Sequence, residues 1–210
     1  MKALKIITAI MMLTLWVSSA SAQIEIPLDQ VSERCKVKVG QFTNNISKIA
    51  DKRRDYATRE SLRKRTLVLF KGKCDYYYSD VDIRHDPVRM ETSTLRCRTC
   101  TPKSIWMSKY LTNLMNLRYS AVRIESTDYT EMRVSNPRVI DRHGTTVELE
   151  CTVYFEQKFI GYSDQRIVYA DSTKKRVKVY ITVEQTEDGN EPIVRLGDVY
   201  VDETNFPTDI

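Results

Sequence analysis

The hydrophobic period of this chain changes once, and that change limits the folds open to it. Apolar side chains recur every three or four positions in the first half and every second position further on, so helices must come first and strands after. Cys35, Val39, Phe42, Ile46 and Ile49 fall on one stripe of a helix that begins after Pro27 and Asp29. Gly40 lies inside it and weakens it by about 1 kcal/mol relative to alanine. A second helix is predicted over 56–70, with Leu62, Thr66 and Leu69 facing inward and Gly72 as its stop. A third is signalled by Thr101-Pro102, a capping residue followed by proline, and carries Met107, Tyr110, Leu111, Leu114 and Leu117 on its apolar side.

Beyond these helices the alternation is strict. Val147, Leu149, Cys151, Val153 and Phe155 interleave with polar partners, as do Val177, Val179, Ile181 and Val183, so each segment reads as a strand with one buried face. Shorter strands are expected over 121–127, 130–135, 166–170 and 193–201, and 76–90 reads as a short strand and a loop. Asp141-Arg142-His143-Gly144 and Glu187-Asp188-Gly189-Asn190 have the turn chemistry of hairpins, which makes neighbouring strands antiparallel. The expected fold class is α+β: three N-terminal helices packed on one curved antiparallel sheet, in a cone-like, cystatin-type roll.

Residues 1–22 read as an export signal. A basic start at Lys2 and Lys5 precedes an apolar run over 6–17, and Ala20-Ser21-Ala22 has the small-residue pattern of a cleavage site. That run is short of the ~20 residues a spanning helix needs. The expectation is therefore a periplasmic or secreted chain, with one domain over 23–210 and no stable membrane insertion. Cleavage would remove two lysines and lower the formal charge from +5 by two, leaving a nearly balanced chain. Its densest basic run, Lys52-Arg53-Arg54 with Arg59, Arg63, Lys64 and Arg65, is interleaved with Asp51, Asp55 and Glu60, which reads as a solvated helix face. No clustered basic footprint for nucleic acid is present.

Several segments carry a resemblance: Tyr110-Leu111-Thr112-Asn113-Leu114, Tyr154-Phe155-Glu156-Gln157-Lys158-Phe159-Ile160-Gly161-Tyr162 and Tyr169-Ala170-Asp171-Ser172-Thr173-Lys174-Lys175. With the order of elements, they resemble the nuclear transport factor two-like superfamily, and within it an exported bacterial group. The resemblance implies a cone-shaped fold shared with ketosteroid isomerases and polyketide cyclases, and dimerisation through the outer sheet face, where Thr152, Tyr154, Tyr180 and Thr182 would lie. It carries over no catalytic residue, because none of the enzymes' motifs aligns here, and fold alone does not confer function.

Candidate chemistry is sparse. Of five cysteines, Cys35 and Cys151 fall on apolar stripes and read as buried thiols. Cys97-Arg98-Thr99-Cys100 is a C-x-x-C whose simplest outcome in an oxidising compartment is a disulfide, within the loop or from Cys74; thiol-redox work and a zinc site recruiting His85 are the alternatives. His143 falls in a turn and His85 in a loop, neither with an orienting partner in view. The last strand is more suggestive. Asp198 and Tyr200 share strand parity with Val194 and Leu196, so if that face points inward they would anchor a ligand or move a proton in an apolar cavity; the opposite register presents Arg195, and a bulge at Gly197 breaks both. Tyr110 and Phe155 join them as candidate binding residues. The leading function is a non-catalytic exported binding protein with a mainly apolar pocket, for a small apolar ligand or a peptide, without cofactor or metal. An isomerase, cyclase or dehydratase using a pocket carboxylate or histidine is the alternative, and a thiol protein built on Cys97 and Cys100 a further one.

Overall fold

Val31, Cys35, Val39, Phe42, Ile46 and Ile49 are all buried along one face of α1 (Leu28–Ala50), so the first predicted stripe is the inner face of a real helix. The computed structural model describes residues 28–71, 88–93, 100–186 and 189–207. The export signal, Cys74, His85 and Cys97 lie outside them.

Helix α2 (Tyr56–Leu67) starts where expected because Asp55 caps it, accepting the Thr58 N–H at 2.8 Å. It ends before Leu69 and Phe70, which are buried in the turn that follows. One residue of its basic run departs from a solvated face. Arg59 is only 7 % exposed, and its guanidinium donates to Ile49 O and Met115 O, each at 2.6 Å. Those carbonyls belong to the last turns of α1 and of α3 (Met107–Met115), where helix ends leave acceptors without partners. Arg59 therefore ties three helices together through two C-termini.

Thr101-Pro102 does not open a helix. It precedes β2 (Lys103–Trp106), which pairs antiparallel with β1 (Arg89–Thr92), and α3 begins only after Trp106 without a side-chain cap. Strand pairing overrides the local capping signal. The remaining strands are β3 (Ala121–Ser126), β4 (Arg133–Val134), β5 (Arg138–His143), β6 (Thr146–Ser163), β7 (Arg166–Thr186) and β8 (Gly189–Asn205). They form one sheet in the order β2-β1-β8-β7-β6-β3, with β4 and β5 also on β6. The sheet curls into a half-barrel around α1 and α3, which is the expected α+β cone. Its pairing is mixed rather than wholly antiparallel, because β1 runs parallel to β8 at Met90↔Val199. The separate short strands expected at 166–170 and 193–201 are parts of the long strands β7 and β8.

Two turns shape the hairpins. Gly144 has φ +58°, in the predicted β5–β6 turn. Asp164 and Gln165, at φ 49° and 68°, make the β6–β7 turn without any glycine to announce it.

Gly40 is explained by a close approach. A Cβ placed there would sit 2.7 Å from the Tyr129 Cβ, in the 3-10 turn Tyr129–Glu131 that lies on α1. We expect Gly40→Ala to destabilise the protein by about 1–2 kcal/mol, reversing the usual helix-propensity gain. In a Tyr129→Gly background the same change should become stabilising. Urea midpoints of the four proteins test this; a stabilising Gly40→Ala in the native background would refute the contact's importance.

Candidate ligand site

The parity that buries Val177, Val179, Ile181 and Val183 on β7 continues backward through Lys175, Thr173, Asp171 and Tyr169, which point to the same inner face. These four are 7 %, 2 %, 9 % and 8 % exposed, so the cone has an apolar end and a polar one. On β6, whose Phe155, Gln157 and Phe159 pair across with Lys175, Thr173 and Asp171, Gln157 is also buried. The enclosed face is thus not mainly apolar, as the sequence suggested, because the helices fill the apolar end with their own side chains.

The polar end is organised around Asp171. Its carboxylate accepts from the Tyr169 hydroxyl at 2.5 Å, from Ser93 just past β1 at 3.1 Å, and from Thr173 at 3.4 Å. Burial and then the bond to Asp171 push the Tyr169 phenol well above its ordinary range. Tyr110 of α3 is raised as well, by burial and by the charge of Asp171, so both phenols stay protonated. Lys175 donates to Gln157 Oε1 at 2.6 Å. Burial pushes its ammonium down to about 8, against the opposing pull of Asp171. An ammonium has three protons to give, and among the described residues Gln157 is the one hydrogen-bond acceptor that meets it. Tyr119, Phe159 and Phe206 surround the Tyr169 ring with centroids 6.4, 5.7 and 6.4 Å away. The Tyr119 ring lies against Gly161, where a Cβ would come within 2.7 Å of it. A cleft of about 780 Å³ between α1 and β3 is lined in part by Ser126, whose hydroxyl accepts from Gln157 Nε2 at 3.5 Å; Tyr110, Gln157, Asp171 and Lys175 do not line it.

Of the residues singled out in the sequence, Tyr110 and Phe155 belong to this inner region. Asp198 and Tyr200 do not. The β7–β8 register shifts between Val177 and Val179, which bulges Gly197 and Asp198 and sets Asp198 and Tyr200 on the face opposite buried Val194, Leu196 and Val199. There Asp198 accepts the Arg89 N–H at 2.7 Å and the Tyr200 hydroxyl at 3.2 Å, while Arg176 lies over the Tyr200 ring. Its evident work is to seat β1 on β8. Across the same bulge the Tyr180 ring covers Gly197.

His143 is exposed on β5, with Asp141 at 2.7 Å. Cys100 is exposed and disulfide-bonded, and Cys35 and Cys151 are free. Among the described residues no helix is long and apolar enough to cross a membrane, and no three His, Cys, Asp or Glu side chains gather as metal ligands.

The cluster escaped the sequence reading because Asp171, Thr173 and Lys175 interrupt the apolar alternation and made one strand look like two. The available signal was phase: all three keep step with Val177.

No family model matches the sequence, and no curated protein sequence matches it. Among solved structures, the chain is similar to the Kfla4162 protein of Kribbella flavida, at 13 % identity and a TM-score of 0.34, over 82 % of this chain and 94 % of that one. It is similar to a candidate scytalone dehydratase of Novosphingobium aromaticivorans, at 8 % identity and 0.36, over 87 % and 92 %. A candidate aromatic ring hydroxylase of the same organism aligns at 12 % and 0.31, over 84 % and 95 %. At these TM-scores the likenesses carry no weight for function.

Proposed function

We propose that this chain is an exported binding protein that holds a small, flat carbonyl compound at the polar end of its cone. The observation that carries the proposal is Lys175, a buried ammonium for which Gln157 is the one hydrogen-bond acceptor among the described residues. A buried charge of this kind is costly unless it is hydrogen-bonded, so a ligand oxygen is the natural partner. Tyr110 supplies a second donor, kept protonated by its raised pKa. Because Asp171 already supplies a negative charge that acts on Lys175, a neutral carbonyl suits the site better than a carboxylate, and Tyr119, Phe159 and Phe206 offer apolar surface to a ring.

Matched probes test this. 1-Indanone should raise the melting temperature, and indane, which lacks the oxygen, should not. The shift should vanish in Lys175→Met and shrink in Tyr110→Phe. Affinity should weaken as pH rises through about 8, where Lys175 loses its proton. Equal shifts with ketone and hydrocarbon, or none with either, would refute the proposal.

An enzyme is the second reading, favoured by one observation: a lysine at about 8 can carry a proton at neutral pH. Its signature is exchange of the 1-indanone α-protons in D2O, lost in Lys175→Met. Binding without exchange supports the first reading.

A further inference from the structure

Cys35 and Cys151 are separated by 116 residues, yet their sulfurs lie 3.6 Å apart where α1 rests on β6. Both are buried, at 0 % and 3 % exposure, and both are free. One S–H donates to the other sulfur, so the two side chains already point at each other. A disulfide needs the sulfurs at about 2.05 Å. Closing the bond requires side-chain rotation with a slight slide of the helix on the sheet. Exposed Cys100 is disulfide-bonded, so the fold already accommodates an oxidised cysteine.

We propose that Cys35 and Cys151 are joined as a disulfide when the chain folds in the presence of an exchangeable disulfide oxidant, stapling α1 to the centre of the sheet. The pair is closed to solvent once packed, so the chemistry belongs to folding, before α1 docks fully. The thiolate of one cysteine attacks a sulfur of the oxidant, forming a mixed disulfide and releasing one oxidant thiol. The second cysteine's thiolate attacks the protein sulfur of that mixed disulfide and releases the other oxidant thiol. Two protein thiols lose two electrons and two protons, and both appear on the two released thiols. Nothing in the step depends on the ligand site.

The test refolds full-length protein from denaturant with oxidised and reduced glutathione, traps remaining thiols with N-ethylmaleimide, and maps peptides without reduction. The expected result is a cross-linked peptide pair containing Cys35 and Cys151. The melting temperature should rise by roughly 10 °C over protein refolded with reductant, since the bridge closes a long loop. Most of that rise should disappear in Cys35→Ala and equally in Cys151→Ala. The disulfide of Cys100 serves as the internal control. Maleimide on both Cys35 and Cys151 while Cys100 is oxidised would overturn the proposal. If refolding yields are poor, the same map on protein recovered from an oxidising secretory host decides it by the same two outcomes.

Discussion

Replacing Arg59 with alanine should destabilise the protein by about 3 kcal/mol. Its guanidinium is the donor for one carbonyl at the end of α1 and one at the end of α3. Removing it leaves both acceptors buried at helix ends, and an orphaned buried acceptor costs about 1–3 kcal/mol. Arg59→Lys should recover only part of the loss, because a lysine presents a compact charge where the planar fork reaches two oxygens at once. Urea unfolding at neutral pH measures this. A loss below roughly 1 kcal/mol would mean that the helix ends find other donors.

Lys175→Met should act in the opposite direction, raising stability by about 2 kcal/mol at pH 7 while abolishing ligand binding. Burial lowers the folded-state value of this lysine from 10.5 to about 8. Below about 8 the folded protein carries the full cost of a desolvated ammonium, roughly 3 kcal/mol, offset in the variant by the stranded Gln157 oxygen. Between about 8 and 10.5 the unfolded chain binds more protons than the folded one, so wild-type stability rises with pH across that window. The methionine variant lacks this term. Its advantage should therefore be largest at pH 7 and 8 and shrink toward pH 10, read from denaturant midpoints at each pH. Parallel curves for the two proteins would sink the assignment. A substitution that stabilises the fold and removes function is what a site maintained for binding should show.

The contrast between these two buried cations explains how much was legible in the sequence. Elements whose hydrophobic period is uninterrupted, α1 and the 147–155 and 177–183 stretches, were readable because burial alone dictates their pattern. Arg59 was not, since an arginine among alternating charges looks solvated, and what buries it is the convergence of two other helices' ends. Thr101-Pro102 misled because the extended backbone of 103–106 is imposed by β1, a partner that local sequence does not reveal. Asp198 turned on one bulge: parity left both faces open to it, and the register shift at Gly197 decides which it takes. The Asp171–Lys175 cluster was hidden by its own chemistry, because polar residues on an inward face imitate the end of a strand. Such a break in local consistency is what the proposed ligand site calls for, since functional residues answer to something other than folding.

The β6–β7 hairpin has a consequence for how this protein could change over time. Its strands run through 18 and 21 residues, far longer than the five or six of an ordinary strand, so the inward residues of the two ends lie tens of ångströms apart. Val147, Leu149 and Val183 hold the fold at one end, while Gln157, Asp171 and Lys175 form the proposed ligand end at the other. Energetic effects of substitutions so far apart are close to additive. The polar end can therefore change while the apolar end keeps the chain folded, and a lineage built on this hairpin can vary the chemistry of its inner face without having to repair its core each time.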